Sequence, residues 1–242
     1  YLEAWQLRQQ LLSQRLKGES LVDALPLIKA TGSLPHGEIG QQLFYDEADK
    51  VNIFADMLLA DYPEKLIDPI SFELSLSEFT LMGELDGCSA NGLFNYRFGK
   101  AKGGDLLTIW CRHLVLNCLK PEGVLCESRW VTEDIDIKLK PVNDSKSVLI
   151  ELLDYYWQGC QKAIPLFANT SFAYAKTYLK GKGDPDKAML AAWEGNKITP
   201  GEMDDNYYQQ LYKATPLNDE FKKLAIAIYK PIYDHLEDPG KW

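Results

Sequence analysis

The chain has little of what builds metal centres or covalent staples. Its 242 residues include five cysteines, at 88, 111, 118, 126 and 160, an odd set with no Cys-x-x-Cys pair. Such spacing argues against a disulfide framework and a zinc site, and leaves buried small hydrophobes as the expected role. Histidine is equally scarce: His36, His113 and His235 lie far apart in sequence, which argues against a His-rich metal site. No apolar run approaches the ~20 residues of a membrane span. A starting Met and a signal-peptide pattern are both missing, so the expectation is a piece of a longer cytoplasmic protein, with no membrane partner. Excess positive charge is lacking too, since 26 Lys and Arg face 35 Asp and Glu for a formal net charge of −9. That total argues against a protein that coats DNA by charge alone.

What is present is an ordinary globular composition, 46% hydrophobic and 25% charged. The length suggests one large domain or two small ones, roughly 1.6 by the usual size prior. Such a chain buries roughly 70–75% of its unfolded surface and needs no staple. Charge is distributed unevenly. Residues 38–86 hold twelve acids and two lysines, a net of −10. Residues 88–121 hold Arg97, Lys100, Lys102, Arg112 and Lys120 against Asp105, a net of +4. The basic stretch is either solvated surface or a small phosphate-contacting patch within a larger assembly.

Periodicity predicts helices over 1–17, from Ser20 with Asp23 in a capping box, and from about 40 to Ala60. The first carries Leu2, Trp5, Leu12 and Leu16 on its apolar side, and the third Leu43, Phe44, Val51, Phe54 and Leu58. Alternation of Ile70, Phe72, Leu74 and Leu76 with polar residues predicts a strand. Residues 79–102 read as two more strands joined at Asn91-Gly92, giving an antiparallel meander, followed by a helix capped by Asp105. Strands at 124–131 and 135–139 complete a mixed sheet of about five strands. Helices follow at roughly 145–162, 171–180, 184–194, 204–214 and 217–236. The expected class is α/β, with residues 1–62 as N-terminal helices packing on a core of residues 63–242.

Strand, hairpin, strand, helix is the frame on which metal-dependent nucleases mount an Asp, a second acid and a Lys. Here Asp86 is present, Asn95 stands at the second acid and Arg97 at the Lys. A neutral amide oxygen is a far weaker Mg²⁺ ligand than a carboxylate. Arg97 keeps its proton at physiological pH and cannot act as a base. With Asn91-Gly92 as a two-residue turn, Asp86 falls opposite Arg97, which predicts a cross-strand ion pair between them. The bland alternative is a surface hairpin with a solvated Asp86. No catalytic residue, metal or cofactor is therefore expected.

Gly32-Ser33-Leu34-Pro35-His36-Gly37 with Gly40, then Gly83, then Gly92-Leu93-Phe94-Asn95-Tyr96-Arg97 follow one another in order. Trp193-Glu194-Gly195-Asn196, Asp204-Asp205 and Tyr208-Gln209-Gln210-Leu211-Tyr212 continue the series. In order and spacing the chain resembles, over nearly its whole length, the C-terminal region of the gamma subunit (RecC) family of exodeoxyribonuclease V, the RecBCD helicase–nuclease. The resemblance implies a restriction-endonuclease-like, PD-(D/E)XK-type core that is catalytically degenerate. It implies the alpha and beta subunits of exodeoxyribonuclease V and DNA as partners. It also implies a scaffold that helps guide and separate DNA strands in double-strand break repair and recombination. Related nucleases carry a Gln and a Tyr on the helix after the last core strand, whereas residues 106–112 here hold neither. Some relatives bind an iron–sulfur cluster through four cysteines, and the spacing here departs from that pattern.

Two functions compete. One is the non-catalytic scaffold, with Arg97, Lys100, Lys102 and Arg112 as DNA-binding residues and Tyr96 or Trp110 stacking on an unpaired base. For Trp110, in a largely apolar helix, a core position is the stronger reading. The other is an active Mg²⁺ nuclease using Asp86 with a second acid such as Glu84 or Glu73.

Overall fold

The fold is described from a computed structural model, which describes residues 2–60 and 65–242, with side chains from residue 5 onward. The chain divides into two compact units, Tyr1–Glu64 and Lys65–Trp242. The expected boundary at 62/63, and the Leu2 side chain assigned to the first apolar stripe, lie outside the described residues.

The first unit is three helices, α1 (Leu2–Leu16), α2 (Leu21–Ala30) and α3 (Glu38–Leu59). Its core is Leu7, Leu11 and Leu12 of α1 with Ile28, Phe44, Val51, Phe54 and Leu58. Trp5 is half-exposed, so the buried face of α1 is rotated from the predicted one, onto Leu7 and Leu11. Arg8 and Glu47 pair between α1 and α3, and Arg15 reaches Asp56 at 2.8 Å. Ser20 is the N-cap residue of α2, but its side chain makes no cap hydrogen bond, and no capping box with Asp23 forms. Gly40 belongs where it is because a Cβ there would sit 1.9 Å from the Pro35 carbonyl oxygen. The chain folds back on itself at that point, before α3.

The second unit is mixed α/β. A ribbon of β1 (Ile70–Leu76) and β2 (Phe79–Leu85) pairs antiparallel, Ile70 opposite Leu85. Separate from it is a four-stranded sheet in the order β3 (Cys88–Ser89), β4 (Gly92–Tyr96), β5 (Ser128–Val131), β6 (Asp136–Leu139). The expected continuous five-stranded sheet is therefore two sheets. The cause is local: Asp86 and Gly87 leave the strand, and Gly87 adopts φ +73°, which turns the chain before β3.

Strands β4 and β5 run parallel, which requires a crossover, and α4 (Gly103–Leu119) supplies it. Helices α5 (Ser145–Gln161), α6 (Ala168–Lys180), α7 (Pro185–Glu194), α8 (Asn206–Leu211) and α9 (Asp219–Asp234) follow. A 3₁₀ turn at Glu202–Asp204 precedes α8. The main core gathers Leu85, Leu93, Leu106, Trp110, Leu114, Trp130 and Ile137 against Ile228, Tyr229 and Ile232 of α9. A second cluster joins Phe167, Tyr174, Met189, Trp193, Phe221 and Ala225. Residues in both clusters come from α6 and α9, so these helices tie the sheet to the C-terminal helices.

Candidate functional site

The short hairpin ends at Ala90-Asn91, with Ser89 opposite Gly92 and Cys88 opposite Leu93. The turn lies one residue earlier than the sequence predicts. Gly92 serves a different purpose from the expected one, since a Cβ there would meet the Glu127 carbonyl oxygen at 2.3 Å. The segment leading into β5 lies against it, and Leu93 N–H donates to Glu127 O at 2.9 Å.

The shifted register breaks the predicted Asp86–Arg97 pair. Asp86 instead pairs with Arg112 of α4, whose Nη2 also donates to the Asp86 carbonyl oxygen at 2.5 Å. Arg97 pairs with Asp105 in the first turn of α4. That helix begins at Gly103, so Asp105 is not its N-cap; the cap position is Lys102. The Gly103 N–H is satisfied at long range, donating to Asn169 Oδ1 at 3.0 Å. Two guanidinium–carboxylate pairs thus fasten α4 to the two ends of the hairpin region. The Asp86 side chain is 66% exposed, so its pair is screened and contributes less than about 1 kcal/mol. Asn95, on β4 two residues before Arg97, has its Nδ2 buried with no hydrogen-bond partner among the described residues.

The four basic candidates are not equivalent. Lys100 is exposed on the loop after β4, a loop held by Ala101 N–H to Asp134 Oδ1 at 2.8 Å. Lys102 is also exposed, but it lines a cleft of about 650 Å³ together with Glu202, Asp204 and Asp205. Arg97 and Arg112 are each engaged by an acid. Tyr96 is 37% exposed, whereas Trp110 is fully buried and cannot stack on a base. Its ring lies against His113 at 5.6 Å and His235 at 5.7 Å, so two of the three histidines do come together. Glu73 and Glu84 lie on the exposed face of the ribbon, where Ser71 Oγ donates to Glu84 at 3.4 Å. Among the described residues no three His, Cys, Asp or Glu side chains form a group that could hold a metal ion. The cysteines are free; Cys88 is buried, but Cys111 and Cys160 are exposed, which corrects the reading of all five as core.

A buried polar cluster is one that sequence reasoning missed. His113 is buried, with Nδ1 2.7 Å from Ser128 Oγ and Nε2 3.1 Å from Lys140 O. The carbonyl requires a donor, so Nε2 carries the proton and Nδ1 accepts from the serine hydroxyl. Burial pushes the imidazole pKa down to about 4. Asn117, one helical turn on, donates to His113 O at 2.8 Å and accepts from Val142 N–H at 2.8 Å. The sequence signal was available: two polar residues four apart on a largely apolar helix.

The last three of the motifs quoted above for their order also converge in space. Gly195, Asn196, Asp204, Asp205 and Tyr208 line the Lys102 cleft. Trp193 stacks under Tyr208, and Phe167 lies 4.6 Å from Trp193. Residues 1–179 match the RecC C-terminal domain model, and the chain belongs to that family. Among curated proteins it is similar to the RecBCD enzyme subunit RecC of Escherichia coli (strain K12). That relative is 24% identical over 227 residues, 88% of this chain and 20% of the relative. The RecBCD enzyme subunit RecC of Buchnera aphidicola subsp. Schizaphis graminum is 23% identical over 235 residues, 91% of this chain and 22% of the relative. The chain thus spans only 20–22% of the length of these relatives. Among the described residues no helix is long and apolar enough to cross a membrane.

Proposed function

We propose that this chain is a non-catalytic, restriction-endonuclease-like domain of a cytoplasmic helicase–nuclease. In this reading it works with the alpha and beta subunits of exodeoxyribonuclease V as a scaffold that guides and separates DNA strands in break repair. The observation that carries the reading is the pairing at the nuclease-like frame. Asp86 is held by Arg112, Arg97 by Asp105, and the position between them is the neutral Asn95. A hydrolytic Mg²⁺ site needs anionic oxygens around an octahedral ion and a group that activates water. Here Asp86 is the one carboxylate among the three positions and is held by Arg112, while the other two carry a neutral amide and a guanidinium. The frame itself is supported by the parallel β4–α4–β5 crossover next to the hairpin.

In this reading Lys100 is the main phosphate contact. Lys102, Arg97 and Arg112 contribute less, because carboxylates compete with phosphate for them. The test is direct. The purified chain is incubated with linear duplex and single-stranded DNA in Mg²⁺, and no cleavage above background is expected. Cleavage that disappears in Asp86→Ala would instead establish the active-nuclease alternative, with Glu84 or Glu73 as second acid. The partner assignment is tested by pull-down of the chain against separate alpha and beta subunits, with stable capture expected.

A further inference from the structure

We propose that the α7–α8 face is a protein-docking surface for an amphipathic helix whose apolar stripe is flanked by Lys or Arg. The face carries Ile198, 91% exposed and the most exposed large apolar side chain among the described residues, with Tyr207 at 76% and Leu211 at 60%. Tyr207 and Leu211 lie four apart on α8 and share one helix face. Ile198 stands between Asn196 and Thr199, and Tyr207 precedes Tyr208; those three neighbours all line the 650 Å³ cleft. Ile198 and Tyr207 are thus direct chain neighbours of residues that line one cleft.

The tip that presents Ile198 is cross-braced by its own hydrogen bonds. Asn196 Oδ1 accepts from Ile198 N–H and Thr199 N–H, both at 2.9 Å. A backbone bridge joins Gly195 to Pro200. Gly195 takes φ +69°, and a Cβ there would meet Gly201 N at 2.2 Å, so the loop closes on its own backbone. Holding an isoleucine out in water on a braced turn does nothing for folding. It does lower the ordering cost of binding a partner.

Charge selects the partner's chemistry. Residues 184–211 contain six acids, Asp184, Asp186, Glu194, Glu202, Asp204 and Asp205, against Lys187 and Lys197, a net of −4. With three carboxylates against Lys102 along the cleft, phosphate is disfavoured here, and a cationic partner suits the face better than nucleic acid. The cleft acids already accept backbone N–H groups, as in Asp204 Oδ2 with Gly201 N–H at 3.0 Å. A carboxylate has about four acceptor sites, so each retains capacity for an ammonium or guanidinium. Exposed apolar anchors beside a cleft with three carboxylates, Glu202, Asp204 and Asp205, against Lys102 suit the helix-in-groove mode, with the partner's basic residues setting orientation.

The experiment uses the 242-residue chain and fluorescein-labelled synthetic peptides about five helical turns long. One has a Leu stripe flanked by Lys, a second replaces Lys with Glu, and a third scrambles the Leu/Lys sequence to destroy the stripe. Saturable one-to-one binding of the Leu/Lys helix is expected by anisotropy, with both controls at least about tenfold weaker. The exposed triple variant Ile198→Ser, Tyr207→Ser, Leu211→Ser should weaken it by about tenfold or more while leaving the thermal melt in place. Glu194→Lys should weaken it further and reduce its salt dependence. Equal binding by the triple variant, or by the scrambled peptide, overturns the proposal. So does concentration-dependent self-association of the chain that the triple variant abolishes, since a second copy would then be the occupant.

Discussion

At the residue scale, two buried ionisable groups set how this chain responds to acid and to mutation. His113 is neutral in the fold because burial pushes its pKa down to about 4 from an ordinary 6.5. The unfolded chain therefore binds a proton that the folded chain refuses. The resulting stability is complete above about pH 6.5 and is lost as pH falls to about 4, a span worth about 3 kcal/mol. The prediction compares His113→Gln with the parent by urea unfolding. Between pH 7 and pH 4 the stability gap should move by about 3 kcal/mol in favour of the variant, which has nothing to titrate. A constant gap would count against this account. Glu47 is the opposite case. The hydrogen bond from Arg8 is the largest influence on it and lowers its pKa, outweighing burial. Its contribution is present above the normal carboxylate range and is lost as pH falls. Lys50 also reaches it at 2.7 Å, but that side chain is half-exposed. Arg8→Ala should therefore cost about 2 kcal/mol at pH 7, less than for a fully buried pair because Arg8 is itself partly exposed. Chemical denaturation reads this directly, and Arg8→Lys should recover part of the loss.

At the scale of elements, the junction of α4, α6 and α9 is the tightest point in the second unit. Tyr229 Oη donates to Ala168 O at 2.8 Å and lies 3.2 Å from Gly103 O, and burial pushes its phenol pKa up. A Cβ on Gly103 would come within 2.0 Å of Ala168 O. Gly103→Ala should therefore destabilise by more than about 2 kcal/mol, although alanine is the better helix former, because the clash is with backbone. Tyr229→Phe should cost about 1–3 kcal/mol by leaving buried carbonyls without their donor. Thermal melts of both variants test this; a stabilised Gly103→Ala would refute the close approach. The same junction explains what the sequence showed and what it hid. Helices α5, α6, α7 and α9 were legible because each carries its own 3.6-residue periodicity, and capping residues such as Asp184 and Asn218 lie next to them, whereas the helix expected over 204–214 is a 3₁₀ turn followed by the six-residue α8. The start of α4 was not legible, because Asp105 looked like a local cap while the actual partner, Asn169, lies 66 residues on. The hairpin register failed in the same way. Asn91-Gly92 carries a turn signature, but Gly92 is there to admit Glu127 O, a contact no local pattern reveals. The site was legible as a set of positions, Asp86, Asn95 and Arg97, and illegible as a set of partners, because both partners of the charged pair come from α4.

At the scale of the whole molecule, a net charge of −9 and a DNA-handling role are compatible only if the basic groups are segregated from the acids. The second unit shows such segregation in part. Lys100 is exposed on a loop pinned by Asp134, while Lys102 faces a cleft lined with three carboxylates. Phosphate would have to displace the field of those acids to use Lys102, whereas Lys100 needs no such exchange. The double change Lys100→Glu, Lys102→Glu should therefore weaken forked-DNA binding by the assembled complex, and Lys100→Glu alone should account for most of the loss. Each phosphate contact removed should lower the slope of log K against log salt by about 0.7–0.9. The slope thus counts contacts independently of the change in affinity. Measured across a salt series, the single Lys100 variant should lose about one contact and the double variant fewer than two. If affinity and slope are both unchanged, the loop after β4 does not meet DNA. If Lys102→Glu alone matches the double variant, the acidic cleft opens onto the DNA path, and the α7–α8 face must be reconsidered with it.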